Sequence, residues 1–138
     1  MSKVFCEKPF NHNYIHTNGK MRLCCTTIQD LPTDNNYNLF DANTHSIRDY
    51  WNSNRMKEIR RKMIAGDKIR DCERCYRQEE QGVQSLRSTG GMAEFIAKTE
   101  EDGTFNNPAT TMQIQLGNIC NLKCKMCSQM YSHMHGME

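Results

Sequence analysis

Cys120-Asn-Leu-Lys-Cys124-Lys-Met-Cys127 places three cysteines on one short segment near the end of this 138-residue sequence. The C-x3-C-x2-C segment follows an apolar stretch, Met112-Gln-Ile-Gln-Leu116, which predicts a β-strand. Three thiolates on one loop can ligate three irons of a [4Fe–4S] cube and leave the fourth iron open, whereas zinc usually takes four ligands in paired C-x2-C form. The spacing therefore predicts an iron–sulfur cluster, with zinc or plain redox cysteines as the alternative.

This loop resembles the cluster loop of the radical S-adenosylmethionine (SAM) enzymes. The resemblance implies that Cys120, Cys124 and Cys127 hold a [4Fe–4S] cluster whose open iron binds SAM. It also implies that one electron, supplied by a flavodoxin- or ferredoxin-type reductant, breaks the C–S bond of SAM and yields a 5′-deoxyadenosyl radical. Met126 stands at a commonly aromatic position whose backbone contacts the adenine in that family, so it is a candidate cofactor-binding residue. Its alternative role is an apolar plug beside the cluster.

The position of the loop leads to an expectation about domain organisation. The resemblance implies a partial (β/α) barrel, but the sequence stops eleven residues after Cys127, so only the first strand and its loop would be present. We expect residues 111–138 to be the start of a truncated barrel and the chain to be an N-terminal fragment. Such a fragment is not expected to cleave SAM productively.

The composition narrows the class of protein. The N-terminus has no apolar signal region and no apolar run reaches membrane-spanning length, which predicts a cytoplasmic protein without a membrane partner. Thiols stay reduced there, so eight cysteines in groups indicate metal binding. The hydrophobic fraction of 37% and the mean hydropathy of −0.81 predict a lean core, to which a bound metal cluster would add stability.

The charge does not indicate a nucleic-acid partner. The net charge of +2 is too small to imply one by itself. Lysines and arginines are frequent over residues 55–77, but acidic residues interleave with them, which favours the solvated face of an amphipathic helix. Nucleic-acid binding is therefore the less favoured interpretation of this segment.

A second group of cysteines lies in the N-terminal part of the chain. Asn18-Gly19, the dipeptide most typical of tight hairpins, separates two short strand-like stretches and predicts a β-hairpin that brings Cys24 back towards Cys6. Cys72-Glu-Arg-Cys75 has C-x2-C spacing. Cys6, Cys24, Cys72 and Cys75 could close a four-thiolate site for an iron–sulfur cluster or for structural zinc.

Helical signals connect these cysteines. Ser46 and Ser53 are N-cap candidates for a short helix and a longer one, and Gly66 is the expected stop of the second. Residues 26–45 are expected to be irregular. Further helices are predicted over residues 76–81, ending at Gly82, and over 84–101.

The order of Cys6, Gly19, Cys24 and the C-x2-C pair resembles the SPASM auxiliary-cluster domain and its shortened form, twitch. The Gly19 spacing selects Cys24 over the adjacent Cys25, which would face the other way in a strand. The resemblance implies one auxiliary iron–sulfur cluster in a small domain over residues 1–105, and a peptide or protein substrate. Its further positions are Trp51-Asn-Ser53, Arg60, Gly66, Glu79, Gly82 and Ser85-Leu-Arg87. The predicted fold class is α+β, a hairpin with helices followed by the first barrel strand.

Overall fold

The computed structural model describes residues 3–27, 29–34 and 38–137. It is an α+β fold in which short helices pack around a core beside a three-stranded sheet. The helices are α1 (Lys8–Asn11), α2 (Ile47–Trp51), α3 (Asn54–Ala65), α4 (Glu73–Glu80) and α5 (Met92–Lys98). The strands are β1 (His12–Ile15), β2 (Met21–Arg22) and β3 (Thr111–Ile114), and 3-10 turns cover Arg70–Cys72 and His133–Gly136.

The predicted caps of α2 and α3 are confirmed. The Ser46 hydroxyl accepts a hydrogen bond from the Asp49 N–H, and the Asp49 carboxylate accepts one from the Ser46 N–H, which is a full capping box. The Ser53 hydroxyl accepts a hydrogen bond from the Met56 N–H at the start of α3, and Gly66 ends this helix with φ 88°. Such a left-handed residue is most easily a glycine, because a Cβ atom would strain it.

The predicted hairpin is present, but its turn is longer than expected. β1 and β2 pair antiparallel with Tyr14 opposite Arg22. The His16 N–H donates to the carbonyl of Lys20 at 2.9 Å, so three residues, 17–19, make the connection instead of Asn18 and Gly19 alone. Gly19 has φ 80°, which supplies the left-handed residue that a three-residue hairpin loop needs.

The strand predicted at 112–116 forms as β3, one residue earlier and shorter. It pairs in parallel with β1 of the hairpin, with His12 opposite Thr111 and Ile15 opposite Ile114. The backbone of β1 thus carries β2 on one edge and β3 on the other. All four residues of β3 are exposed, including the apolar Met112 and Ile114.

Two helix predictions need correction. α4 begins at Glu73, before the predicted 76–81 segment, and therefore includes Cys75. The helix predicted over 84–101 is wrong in its first half, since only Met92–Lys98 is helical. Gly91 takes φ 67° and stands at the N-cap, because two consecutive glycines favour a chain reversal over a continuous helix. Residues 26–45 lack helices and longer strands, as predicted, although residues 28 and 35–37 of that stretch lie outside the described residues.

The core lies between the hairpin, α1, α2 and α3. Phe10 contacts Phe5 and Phe95 with ring centroids 5.3 and 5.5 Å apart, and Phe105 meets Phe10 edge to face at 5.7 Å. Arg60, predicted as part of a solvated charged face, is instead completely buried in this core. The core packs against α1, the short helix that connects Cys6 to β1, and so fixes the position of Cys6 relative to the sheet.

Candidate metal centre

One cavity is lined by four cysteines that are far apart in the sequence. Cys6 precedes α1, Cys24 follows β2, Cys72 ends a 3-10 turn and Cys75 lies in the first turn of α4. The cavity is completed by Lys8, Thr26, Asp71, Leu86 and Arg87. The hairpin and the C-x2-C segment therefore bring four soft sulfur donors to one place, a donor set that suits an iron–sulfur cluster or zinc.

Thr26 bridges two of these cysteines. Its hydroxyl lies 3.1 Å from the sulfur of Cys24 and 3.8 Å from that of Cys75. The two sulfur atoms are therefore no more than about 7 Å apart, the sum of those distances. The adjacent Cys25 does not line the cavity and is exposed.

Burial makes two of these thiols, Cys6 and Cys72, hard to ionise. Burial raises the pKa of Cys6 and, more strongly, that of Cys72, on which the neighbouring Cys6 and Cys24 act in the same direction. A thiolate is stabilised when a cationic metal binds it, because the metal offsets both the burial and the repulsion between neighbouring sulfurs. The donor set thus fits a metal group. In residues 3–27, 29–34 and 38–137, however, no three His, Cys, Asp or Glu side chains are arranged to hold a single metal ion.

The C-terminal cysteines lie on a separate, more open loop. Cys124 is exposed, and Cys120 and Cys127 are half-buried. The Cys127 N–H donates to the Cys124 carbonyl at 2.9 Å, which forms a tight turn between the last two cysteines. Met126, at the tip of this turn, is 97% exposed and so does not pack as a plug against the described part of the chain.

Hydrogen bonds close the base of this loop. The His133 N–H donates to the Asn118 carbonyl at 2.7 Å, and the Cys120 N–H approaches the His133 ring Nδ1 at 3.2 Å. The buried Ser132 donates its hydroxyl proton to the Leu122 carbonyl at 2.6 Å. His133 begins the 3-10 turn that contacts the cysteine loop.

The side chains around the cavity were largely missed by the sequence analysis. Thr26, Lys8 and Asp71 carry no local signal, since their approach to the sulfurs depends on how the hairpin packs against α4. Arg87 was part of the SPASM-like pattern but had no assigned role. It lines the cavity and forms an ion pair with Glu79, with Nη2 2.5 Å from Oε2.

These features define a small α+β domain built around a cysteine-lined cavity. Comparison with protein families matches residues 6–76 to SPASM, an iron–sulfur cluster-binding domain. That match covers just over half of the chain, and the chain belongs to the SPASM family. It includes all four cysteines of the cavity and ends before β3 and the C-terminal cysteine loop. No curated protein and no solved structure matched the chain.

Among the described helices, none combines the length and the apolar character needed to cross a membrane.

Proposed function

We propose that Cys6, Cys24, Cys72 and Cys75 bind one auxiliary iron–sulfur cluster. The observation that carries this proposal is that these four thiols line one cavity inside the segment that matches an iron–sulfur cluster-binding family. The donor set agrees with the thiolate ligation of such clusters. Cys24, not the exposed Cys25, is the proposed second ligand.

We further propose that the protein is a radical SAM enzyme, with its SAM-binding [4Fe–4S] cluster on Cys120, Cys124 and Cys127. The C-x3-C-x2-C spacing supports this, and the openness of the loop leaves room for a second ligand of the cluster. When bound and reduced, that cluster would supply the electron that cleaves SAM. The backbone of Met126 is the proposed contact to the adenine.

The proposed partners follow from the same chemistry. A cluster that delivers one electron needs a low-potential donor, for which we propose a flavodoxin- or ferredoxin-type protein. A peptide or protein is the proposed substrate by analogy with SPASM-bearing enzymes. A cytoplasmic location without a nucleic-acid partner remains the prediction from composition.

We retain the proposed division into residues 1–105 and 111–138. The second segment starts at β3, whose Met112 and Ile114 are each 48% exposed, and continues to Leu116 and Ile119, which are 96% and 95% exposed. Contiguous exposed apolar side chains are typical of surfaces that another element covers. This supports the proposal that β3 opens a second domain, although it pairs with β1 of the first.

Anaerobic reconstitution with ferrous iron and sulfide tests these proposals. About eight irons per chain, with an EPR spectrum of the reduced protein that changes when SAM is added, is the expected result for two [4Fe–4S] clusters. About four irons with retained zinc would make the N-terminal site structural and leave the SAM proposal standing. A folded protein that takes up no iron would overturn both.

The alternative function is a zinc- or cluster-binding module for structure or electron transfer, without catalysis of its own. Eight irons with an EPR spectrum indifferent to SAM would favour that alternative. A Cys127→Ala variant separates the two sites, because it should lose the SAM response while the iron bound by the N-terminal cysteines remains.

A further inference from the structure

The segment at residues 85–88 forms hydrogen bonds with the chain around Cys6. This segment lies beyond the family match, which ends at residue 76. Arg87 donates from Nη1 to the Phe5 carbonyl at 2.6 Å. The Ser88 backbone N–H donates to the sulfur of Cys6, and the Glu7 N–H donates back to the Ser88 carbonyl at 2.8 Å. Three hydrogen bonds thus hold the residues before, at and after the first cysteine.

Arg87 is itself held in one orientation. Its Nε and Nη2 atoms donate to the two carboxylate oxygens of Glu79 at 2.9 and 2.5 Å, a two-pronged pair that fixes the guanidinium plane. The Ser85 hydroxyl donates to the same carboxylate at 2.5 Å and accepts from the Arg87 N–H at 3.0 Å. The guanidinium also lies 5.9 Å from the centroid of the Tyr76 ring.

The position of this pair relative to the cavity is asymmetric. Arg87 lines the cysteine cavity and its side chain is only 10% exposed, whereas Glu79 lies behind it and is 32% exposed. The positive end of the pair therefore faces the cysteines and is poorly screened by water. A group held by four thiolates becomes more negative by one charge when it accepts an electron, so a nearby cation favours its reduced form.

We propose that Arg87 is a positioning and charge-setting residue of the auxiliary cluster site, and that Glu79 limits how much of its charge the cluster experiences. The inference rests on the proposed binding of an iron–sulfur cluster at this cavity. Arg87 fixes the backbone before Cys6 and raises the reduction potential of the cluster. Reduction adds one electron from an external reductant to the cluster and breaks no bond of Arg87 or Glu79.

The test uses the full chain with Cys120, Cys124 and Cys127 replaced by Ala, so that only the cavity cysteines and Cys25 remain. After reconstitution with ferrous iron and sulfide, the protein is titrated with dithionite and mediators, and EPR reports the reduced fraction. The variants are Arg87→Gln, which removes the charge, Arg87→Lys, which keeps it, and Glu79→Gln, which leaves Arg87 uncompensated. Arg61→Gln removes an exposed positive charge on α3 and is the matched control.

The two central variants should move the potential in opposite directions. Arg87→Gln should shift the reduction equilibrium roughly tenfold towards the oxidised form, about 59 mV lower for one electron. Glu79→Gln should raise the potential, whereas Arg87→Lys should stay closer to the wild-type value and Arg61→Gln should match it. If Arg87→Gln and Arg87→Lys both lose the cluster, the positioning role is supported, because neither side chain reproduces the bonds of Arg87 to Phe5 and Glu79. Glu79→Gln alone then decides the charge role.

Two failures are distinguishable. If the parent triple variant takes up no iron–sulfur cluster, the proposed function of the cavity is wrong, and the role of Arg87 falls with it. If the cluster forms but Arg87→Gln and Glu79→Gln leave the potential unchanged, or shift it in the same direction, the charge-setting role of Arg87 is overturned while the cluster proposal stands.

Discussion

Arg60 lies over the indole ring of Trp51, with its Cζ atom 4.7 Å from the ring centroid. The arginine is completely buried, and burial lowers its pKa to about 10, which still leaves it charged at neutral pH. Its guanidinium donates to the backbone carbonyls of Trp51, Pro9 and Gly103 and to the side-chain oxygen of Asn52. One cation therefore ties α1, the end of α2 and the turn before β3 to α3.

Replacing Arg60 with Met should strongly destabilise the domain. The substitution keeps the apolar stem but leaves three buried backbone carbonyls, those of Pro9, Trp51 and Gly103, without their donor. Each unsatisfied buried acceptor costs about 1–3 kcal/mol. We expect a loss of at least about 3 kcal/mol in the free energy of unfolding, measured by urea denaturation followed by the fluorescence of the single Trp.

Arg61→Met is the matched control, because Arg61 is the next residue on α3 and is exposed. Its effect should stay within about 0.5 kcal/mol, as for ordinary surface positions. Equal losses for the two variants would contradict the bridging role of Arg60.

The local signals in the sequence predicted local structure well. Ser46, Ser53 and Gly66 act through their own backbone neighbours, so the bounds of α2 and α3 were largely visible in the sequence. The burial of Arg60 was not visible, because the surrounding charges on α3 are solvated and its hydrogen-bond acceptors lie up to 51 residues away.

The site was predictable only in part for the same reason. Cysteine spacing identified the four thiols that line the cavity, since the pattern depends on residue type. The approach of Arg87 to Phe5 spans 82 residues and depends on the packing of the whole domain. The parallel pairing of β3 with β1 joins residues 99 positions apart, and no pattern in either strand indicates its partner.

Gly103 should tolerate no side chain. It has φ 89°, and a Cβ atom added there would lie 2.2 Å from the backbone carbonyl oxygen of Lys57 on α3. Gly66 has nearly the same φ, 88°, but nothing within 4 Å of such an atom. Gly103→Ala should therefore destabilise the fold by about 1–3 kcal/mol more than Gly66→Ala, the excess being the steric conflict. Comparable urea midpoints and slopes for the two variants would show that the turn can move away from α3.

His12 should make the stability of the fold depend on pH. Its Nδ1 lies 2.9 Å from the Thr111 hydroxyl across the β1–β3 pairing, while its Nε2 is buried without a hydrogen-bond partner among the described residues. Burial, and then the nearby Lys8, lower the pKa of His12 below its ordinary value of 6.5. The unfolded chain therefore binds a proton more readily, so stability is fully present above pH 6.5 and falls as the pH drops below it.

The comparison with His12→Gln isolates this effect. The variant has no titrating group at that position. Its free energy of unfolding should therefore fall less steeply than that of the wild type when the pH is lowered by about two units, from about 7.5 to about 5.5. Both proteins are measured in urea under anaerobic conditions, and other titrating groups cancel in the difference. Parallel pH profiles would contradict the assignment to His12.

Cys24 and Cys25 offer the sharpest test of the cavity, because they are identical in chemistry and adjacent in the chain. Only Cys24 lines the cavity, where its sulfur is 3.1 Å from the Thr26 hydroxyl, and Cys25 is exposed. Cys24→Ser should lower the iron and sulfide content of the N-terminal site several-fold after reconstitution, because a hydroxyl is a poor ligand compared with a thiolate. Cys25→Ser should leave that content unchanged. Both variants are made with Cys120, Cys124 and Cys127 replaced by Ala, so that the count reports the cavity alone. If Cys25→Ser lowered the iron and sulfide content and Cys24→Ser did not, Cys25 would be the ligand. The chain after β2 would then have to rotate to bring Cys25 into the cavity.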